Sequence, residues 1–180
     1  YSDFCNWENE WIKTEESKKM LSEWKSILTG IDEPLELPLD TPDISCIRSE
    51  GRRKHFVIGS KLSRKIRNYA KNNSVTPFVL ILTLYSIFLY RLSGKPGINI
   101  GVPFTNRRNE MFKDVFGCLM NIIPMHVVFS EESTFKSIIE QVRITMLKMH
   151  RIQEIPFLMI NSMFGEHYGK SLFQNGFTFE

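Results

Sequence analysis

Four histidines, His55, His126, His150 and His167, are the first side chains to weigh for catalysis or metal binding. None stands in an HExxH or comparable ligand spacing. The chain has no GxSxG elbow and no Walker loop, and the glycines around 94–101 make no GxGxxG pattern. His150 and Glu154 lie four residues apart, and a lone pair of this kind near a helix end reads as a surface contact. Three cysteines, Cys5, Cys46 and Cys118, form no CxxC pair and read as reduced thiols of a cytosolic protein. By residue chemistry alone, then, the chain shows no complete active site and no recognisable metal-ligand spacing.

The stretch VFGCLMNIIPMHVVF, residues 115–129, breaks a different rule. Its Val, Ile and Phe residues suit a buried strand, yet Asn121, Pro124 and His126 interrupt it. A polar amide and a missing backbone donor are costly in a central strand. On the residues, an edge-strand kink in which Asn121 satisfies nearby backbone accounts for that cost. Pro124 is expected to stop ordinary ladder pairing.

The elements around this stretch follow from periodicity. Phe4, Trp7 and Trp11 share a helical face, continued by Leu21, Trp24 and Leu28, with Gly30 as the cap. Pro34, Pro38 and Pro42 keep the next segment extended. A strand is expected over 54–62, then a helix capped by Ser60 or Ser63 with Leu62, Ile66, Tyr69 and Ala70 on one face. Thr76-Pro77 starts a buried helix that ends near Gly94. GINIGVPF (97–104) is a second strand, and 115–129 supplies a third. Ser133 or Thr134 caps an amphipathic helix, a short helix follows Pro156, and 172–180 reads as a last strand. Such an order predicts an α/β fold, a mixed sheet flanked by helices.

Bulk properties agree with one domain or one large lobe. The chain has 180 residues, 42% hydrophobic and 24% charged, enough apolar side chain for a core. Its net charge of +3 is too small to imply nucleic acid, and the basic runs GRRKH (51–55) and TNRRN (105–109) are short. The apolar run 77–92 contains Thr83, Tyr85, Ser86, Tyr90 and Arg91 and falls short of the ~20 residues of a span, so it reads as a core helix and no membrane is expected.

Several stretches together resemble the condensation domains of nonribosomal peptide synthetases. YSDFCNW (1–7) resembles that family's YxDFAVW, and VFGCLMNIIPMHVVF its IGxFVNTLPLRV. IQEIPF (152–157) resembles (H/N)QDxPFE, and INIGVPFTNR (98–107) resembles IVVGxPxANR. GKSLFQNGFTF (169–179) is a fainter match to a SRNPLFQ segment. They stand in the family's order and cover almost the whole chain.

The resemblance implies one lobe of a chloramphenicol acetyltransferase-like fold, in which two lobes form a V around a tunnel. Carrier proteins send phosphopantetheine arms into it from opposite faces, and an amide bond forms. The family's HHxxxDG motif precedes YxDFAVW and does not occur here, so the chain is expected to be an excised C-terminal lobe, inactive alone. On that reading 1–30 joins the missing N-terminal lobe, 31–53 is a Pro-rich connector, and 54–180 is the lobe itself, truncated at its end. Asn121, Pro124 and His126 would line the tunnel or position substrate. Arg107 would pair across the lobe interface with the Asp of HHxxxDG, or be solvated if that lobe is absent. Tyr1, Asp3, Phe4 and Trp7 would pack at the junction, and Gln153, Glu154, Pro156 and Phe157 would shape a loop. No cofactor is expected on the chain itself. Its implied partners are the N-terminal lobe, carrier domains and an adenylation domain, in the cytoplasm.

His126 stands where the family has Arg, Glu154 where it has Asp, and Leu158 where it has Glu. Other functions stay open on the residues: a non-catalytic platform for carrier or adenylation domains, a heterocyclisation relative, or an acyl-CoA-dependent acyltransferase.

Overall fold

The computed structural model describes residues 1–31, Leu35, Leu37, 51–168 and 172–179, with side chains in the last helix given up to Met163. Most of the Pro-rich connector, Cys46 and the His167 side chain fall outside these residues.

Among the described residues six α-helices surround a small sheet: α1 (Ser2–Trp11), α2 (Glu15–Leu28), α3 (Ser60–Asn72), α4 (Pro77–Ser93), α5 (Phe135–Arg151) and α6 (Phe157–Tyr168). Strands β1 (Gly97–Phe104) and β2 (Asn121–Val128) pair antiparallel, with a 3-10 turn at Glu110–Phe112 between them. Thr76 caps α4 by accepting from the Val79 N–H, Pro77 opens it, and Gly94 closes it in the left-handed conformation at φ 68°. Thr134 and Ser137 form a reciprocal capping box at the start of α5. No single helix among the described residues is long and apolar enough to cross a membrane.

One face of the sheet is apolar apart from Asn121 at its end. Ile98, Ile100 and Val102 lie opposite Val127, Met125 and Ile123, all buried. Helix α4 contacts β1, and α5 and α6 contact β2, while α3 packs on α4 and α2 on α6. Trp24, fully buried, donates its Nε1–H to the Ile152 carbonyl at 3.1 Å and so ties α2 to the end of α5. Buried hydroxyls on α4 stay within the helix, Thr83 donating to Val79 O and Ser86 to Leu82 O.

Several expected features differ. Residues 54–59 form no strand, and Phe56 and Val57 are 83% and 95% exposed. Among the described residues the run has no strand beside it, and an unpaired β pattern has no ladder to hold it. Gly59, not a serine, caps α3; the Ser63 hydroxyl donates to Ile58 O and Gly59 O instead of accepting from the helix start. The strand expected over 115–129 begins only at Asn121. Phe116 is 98% exposed, and Gly117 sits at φ 149° with the Tyr1 ring where a Cβ would be, 2.5 Å away.

Pro124 does not stop the ladder. It lies opposite Gly101 in an unbroken register. Gly101 uses its own N–H and C=O on the other side, donating to Asn175 O at 2.8 Å and accepting from Phe177 N at 2.9 Å. Gly101 and Pro124 are therefore a non-hydrogen-bonded pair, and the donor that proline lacks would point away from β1. In place of a full last strand, the 172–179 segment makes one parallel bridge, Gly101 to Gly176. It sits there because Gly101 has no side chain: a Cβ would lie 2.3 Å from the Phe173 ring. Gly101→Ala should lower stability by about 1–3 kcal/mol through this overlap, read as a drop in the denaturation midpoint. Amide exchange at Phe177 should rise with it; unchanged protection there would show that the segment does not depend on Gly101.

Candidate functional site

Asn121 opens β2 on the apolar face, where the core meets the segment between α5 and α6. It is 8% exposed, and its side chain is fully engaged. Nδ2 donates to Gln153 O at 2.8 Å and to Ile155 O at 2.7 Å, while Oδ1 accepts from the Phe157 N–H at 3.0 Å. One amide thus satisfies three backbone groups of the 153–157 segment. Gln153 locks the same segment from the other side, its buried Nε2 donating to His150 O at 2.6 Å. Pro156 leads into α6, and the Phe157 ring lies 5.2 Å from that of Phe173. Asn121 thus satisfies backbone, with partners more than 30 residues distant, and it also lies at a cleft.

The same residue borders a groove of about 310 Å³ between the start of α1, the 118–122 stretch and residues 156–158. Phe4 is buried in a small second core with Phe112 and Leu119, against which Cys5, Trp7 and Val115 pack. Tyr1 and Asp3 are exposed.

Arg107 does not dissolve into solvent. Its Nη1 donates to Phe112 O at 2.7 Å and Val115 O at 2.9 Å, and its Nη2 to Gly117 O at 2.7 Å. The planar guanidinium gathers carbonyls that no strand or helix serves, so it organises the loop leading to Asn121. Arg108 takes the ion-pair role instead, reaching Glu154 Oε1 at 3.1 Å and His150 O at 3.0 Å. The hydrogen bonds of this network use the His150 carbonyl, while the ring acts on Glu154 only through its charge.

Glu154 is half-buried, and its Oε2 has no hydrogen-bond partner among the described residues. Burial pushes its carboxyl above the usual carboxylate range, although Arg108 and His150 pull the other way.

Pro124 and His126 do not join Asn121 on one surface. Side chains alternate along a strand, so both point to the opposite face from Asn121. His126 lies across from Asn99 in the register, and its Nδ1 meets the Asn99 Oδ1 at 2.7 Å. It lines a separate cavity of about 370 Å³ with Gly30, Lys95 and Gly97.

Sequence reasoning missed Arg108 as the partner of Glu154, because the two are 46 residues apart. It also missed Asn106, whose φ of 53° turns the chain after β1; asparagine between two regular elements is a signal for that conformation.

With this geometry in hand, the comparisons give the class. A condensation-domain family model matches residues 1–180, and the chain belongs to that family. Phosphinothricin tripeptide synthetase PhsC of Streptomyces viridochromogenes is 29% identical over 157 residues, which are 87% of this chain and 14% of that protein. Cyclosporin synthetase simA of Tolypocladium inflatum is 28% identical over 162 residues, 90% of this chain and 1% of its own. The chain therefore spans a small part of these relatives. Among solved structures, the four-domain nonribosomal peptide synthetase holo-AB3403 superposes with a TM-score of 0.84 at 23% identity, over 92% of this chain and 13% of that one. The condensation domain of the polyketide synthase MokA gives 0.75 at 19%, over 92% and 40%. These likenesses establish the chloramphenicol acetyltransferase-like α/β fold.

Asn121→Ala should leave the carbonyls of Gln153 and Ile155 and the Phe157 N–H without partners, a loss of about 2–4 kcal/mol. Urea denaturation measures it, and a loss below about 1 kcal/mol would mean that the segment is held by other contacts. Glu154 gives a pH signature. Its folded pKa lies above the unfolded one, so the folded state binds more protons between the two values. Its contribution should decline as pH rises through its folded-state pKa, and Glu154→Gln should remove that part of the slope in denaturation midpoints.

Proposed function

We propose that the chain is the C-terminal lobe of an amide-forming condensation domain, residues 54–180, with 1–30 reaching toward an N-terminal lobe. The family match over 1–180 carries this reading. In it the lobe supplies one wall of a tunnel. Carrier domains extend phosphopantetheine arms into that tunnel, one bearing the aminoacyl or peptidyl thioester and the other the acceptor amine. The relatives are named as peptide synthetases, and AB3403 as a four-domain one, which supports carrier and adenylation domains as neighbours.

The lobe's own contribution is positioning. Asn121 and Gln153 fix the 153–157 segment, and Arg107 fixes the loop before β2. Both surfaces border the groove in which Tyr1 and Phe4 also lie. In this reading Arg107, Tyr1, Asp3 and Trp7 face the other lobe. Proton transfer from the amine belongs to the HHxxxDG histidine, which this chain does not contain.

A second reading is a non-catalytic docking platform. It is supported by the X-domain of teicoplanin biosynthesis, which shares the fold with a TM-score of 0.76 at 18% identity over 94% of this chain and 38% of its own, and is solved in complex with OxyB. A heterocyclisation relative is the third, marked by DxxxxD in place of HHxxxDG.

The purified 180-residue chain should form no amide from paired carrier-bound substrates, followed by mass spectrometry of the acceptor carrier. The protein extended upstream of Tyr1 to include an HHxxxDG lobe should form it. Turnover by the chain alone refutes the division of labour. Failure of the extended protein, with carrier binding retained, favours the platform.

A further inference from the structure

The short basic run at 51–55 does not stand alone in the structure. Arg52, Arg53 and Lys54 lead into α3, which carries Lys61, Arg64, Lys65, Arg67 and Lys71, and all of them are exposed. No Asp or Glu occurs between residues 51 and 109, and none of these cationic side chains makes a hydrogen bond or ion pair among the described residues. The inward face of α3 holds the buried Ala70 and Tyr69, whose ring lies 6.0 Å from that of Phe135. The outward face goes against helix rules. Lys61 stands in the first turn, against the helix dipole, with no acid there to offset it and no side chain capping the helix start. Lys61 and Lys65, and again Arg67 and Lys71, are like charges one turn apart. Packing requires none of these charges. Just before α3, residues 52–57 make no backbone hydrogen bond among the described residues, yet KHFVI (54–58) is a β-forming sequence with Phe56 and Val57 in solvent.

We propose that 52–58 and the outward face of α3 form one docking surface for an acidic β-strand of a partner protein. The strand's backbone pairs with 54–58, and its carboxylates meet the cations on either side. The chemistry disfavours the neighbouring classes. A second copy of the chain, paired antiparallel about Val57, would set Lys54 opposite Ser60 and Arg53 opposite Lys61, cation against cation. A bilayer takes apolar side chains from one direction, whereas Phe56 and Val57, being adjacent, point to opposite sides in a strand. A nucleic acid backbone would meet the cations but leave the unpaired amides and Val57 unused. An acidic strand uses the charge, the open backbone and both apolar side chains. The inference is independent of the condensation reading, since it involves neither the groove beside Asn121 nor the loop held by Arg107.

The test is fluorescence anisotropy on the full 180-residue chain, with amide hydrogen exchange read at 54–58. The probe is an acetylated peptide of alternating valine and threonine flanked by glutamates. Its controls are the same peptide flanked by lysines, the same peptide interrupted by prolines, phosphatidylserine vesicles and duplex DNA. The acidic peptide should bind with a Kd below about 100 μM at low salt and protect the amides of 54–58. The lysine-flanked and proline-interrupted peptides should each bind about tenfold more weakly or worse. Phe56→Pro and Val57→Pro remove neighbouring donors that point to opposite sides, so one of the two should lose about tenfold with an unchanged thermal midpoint. Arg64→Glu combined with Lys65→Glu should lose a similar factor. Any one of five results overturns the proposal: protection of 54–58 without peptide, equal binding of the proline-interrupted peptide, no loss in either proline variant, tighter binding of vesicles or DNA than of the acidic peptide, or no peptide binding up to about 1 mM.

Discussion

The described structure is organised around one side chain with three backbone bonds. Asn121 sits where the apolar face of β2 ends and holds the turn between α5 and α6. That turn cannot satisfy itself. Its carbonyls and N–H lie between two helices, out of reach of either hydrogen-bond ladder. An amide is the side chain that can give two donors and accept at once. Gln153 and Trp24 then extend the arrangement, fastening the same segment to α5 and to α2. A groove wall that must keep its shape is in this way pinned by buried polar bonds, which are directional where apolar contacts are not.

Arg107 solves the same problem in the loop that leads to Asn121. The loop from residue 105 to 120 has little regular structure, and its carbonyls need donors. A guanidinium provides several in one plane, whereas lysine would offer a point charge. Two residues that family resemblance would place in contact with substrate or partner are, in this structure, first of all organisers of backbone. The two roles are compatible, because a rigid wall is what a shared tunnel needs from each lobe.

The second face of the sheet shows how tolerant a strand can be once its donors are mapped. Pro124 lies on that face without harm because its missing N–H points away from β1. Gly101 yields its volume to Phe173 and its backbone to 175–177. His126 and Asn99 meet there because non-hydrogen-bonded pairs bring side chains close.

Sequence alone determined what local rules govern. Strand 97–104, the Thr76-Pro77 start and Gly94 stop of α4, the Thr134 cap and the helix after Pro156 all follow from periodicity and capping, which act within a few residues. The motifs were legible as well, since their order along the chain carries the family. Tertiary structure decided the rest. It left 54–59 unpaired, moved the start of β2 to Asn121, and chose Arg108 over His150 for Glu154. It also separated Asn121 from His126, which the motif had placed together. In each case the deciding partner lies tens of residues away, and no spacing rule reaches that far.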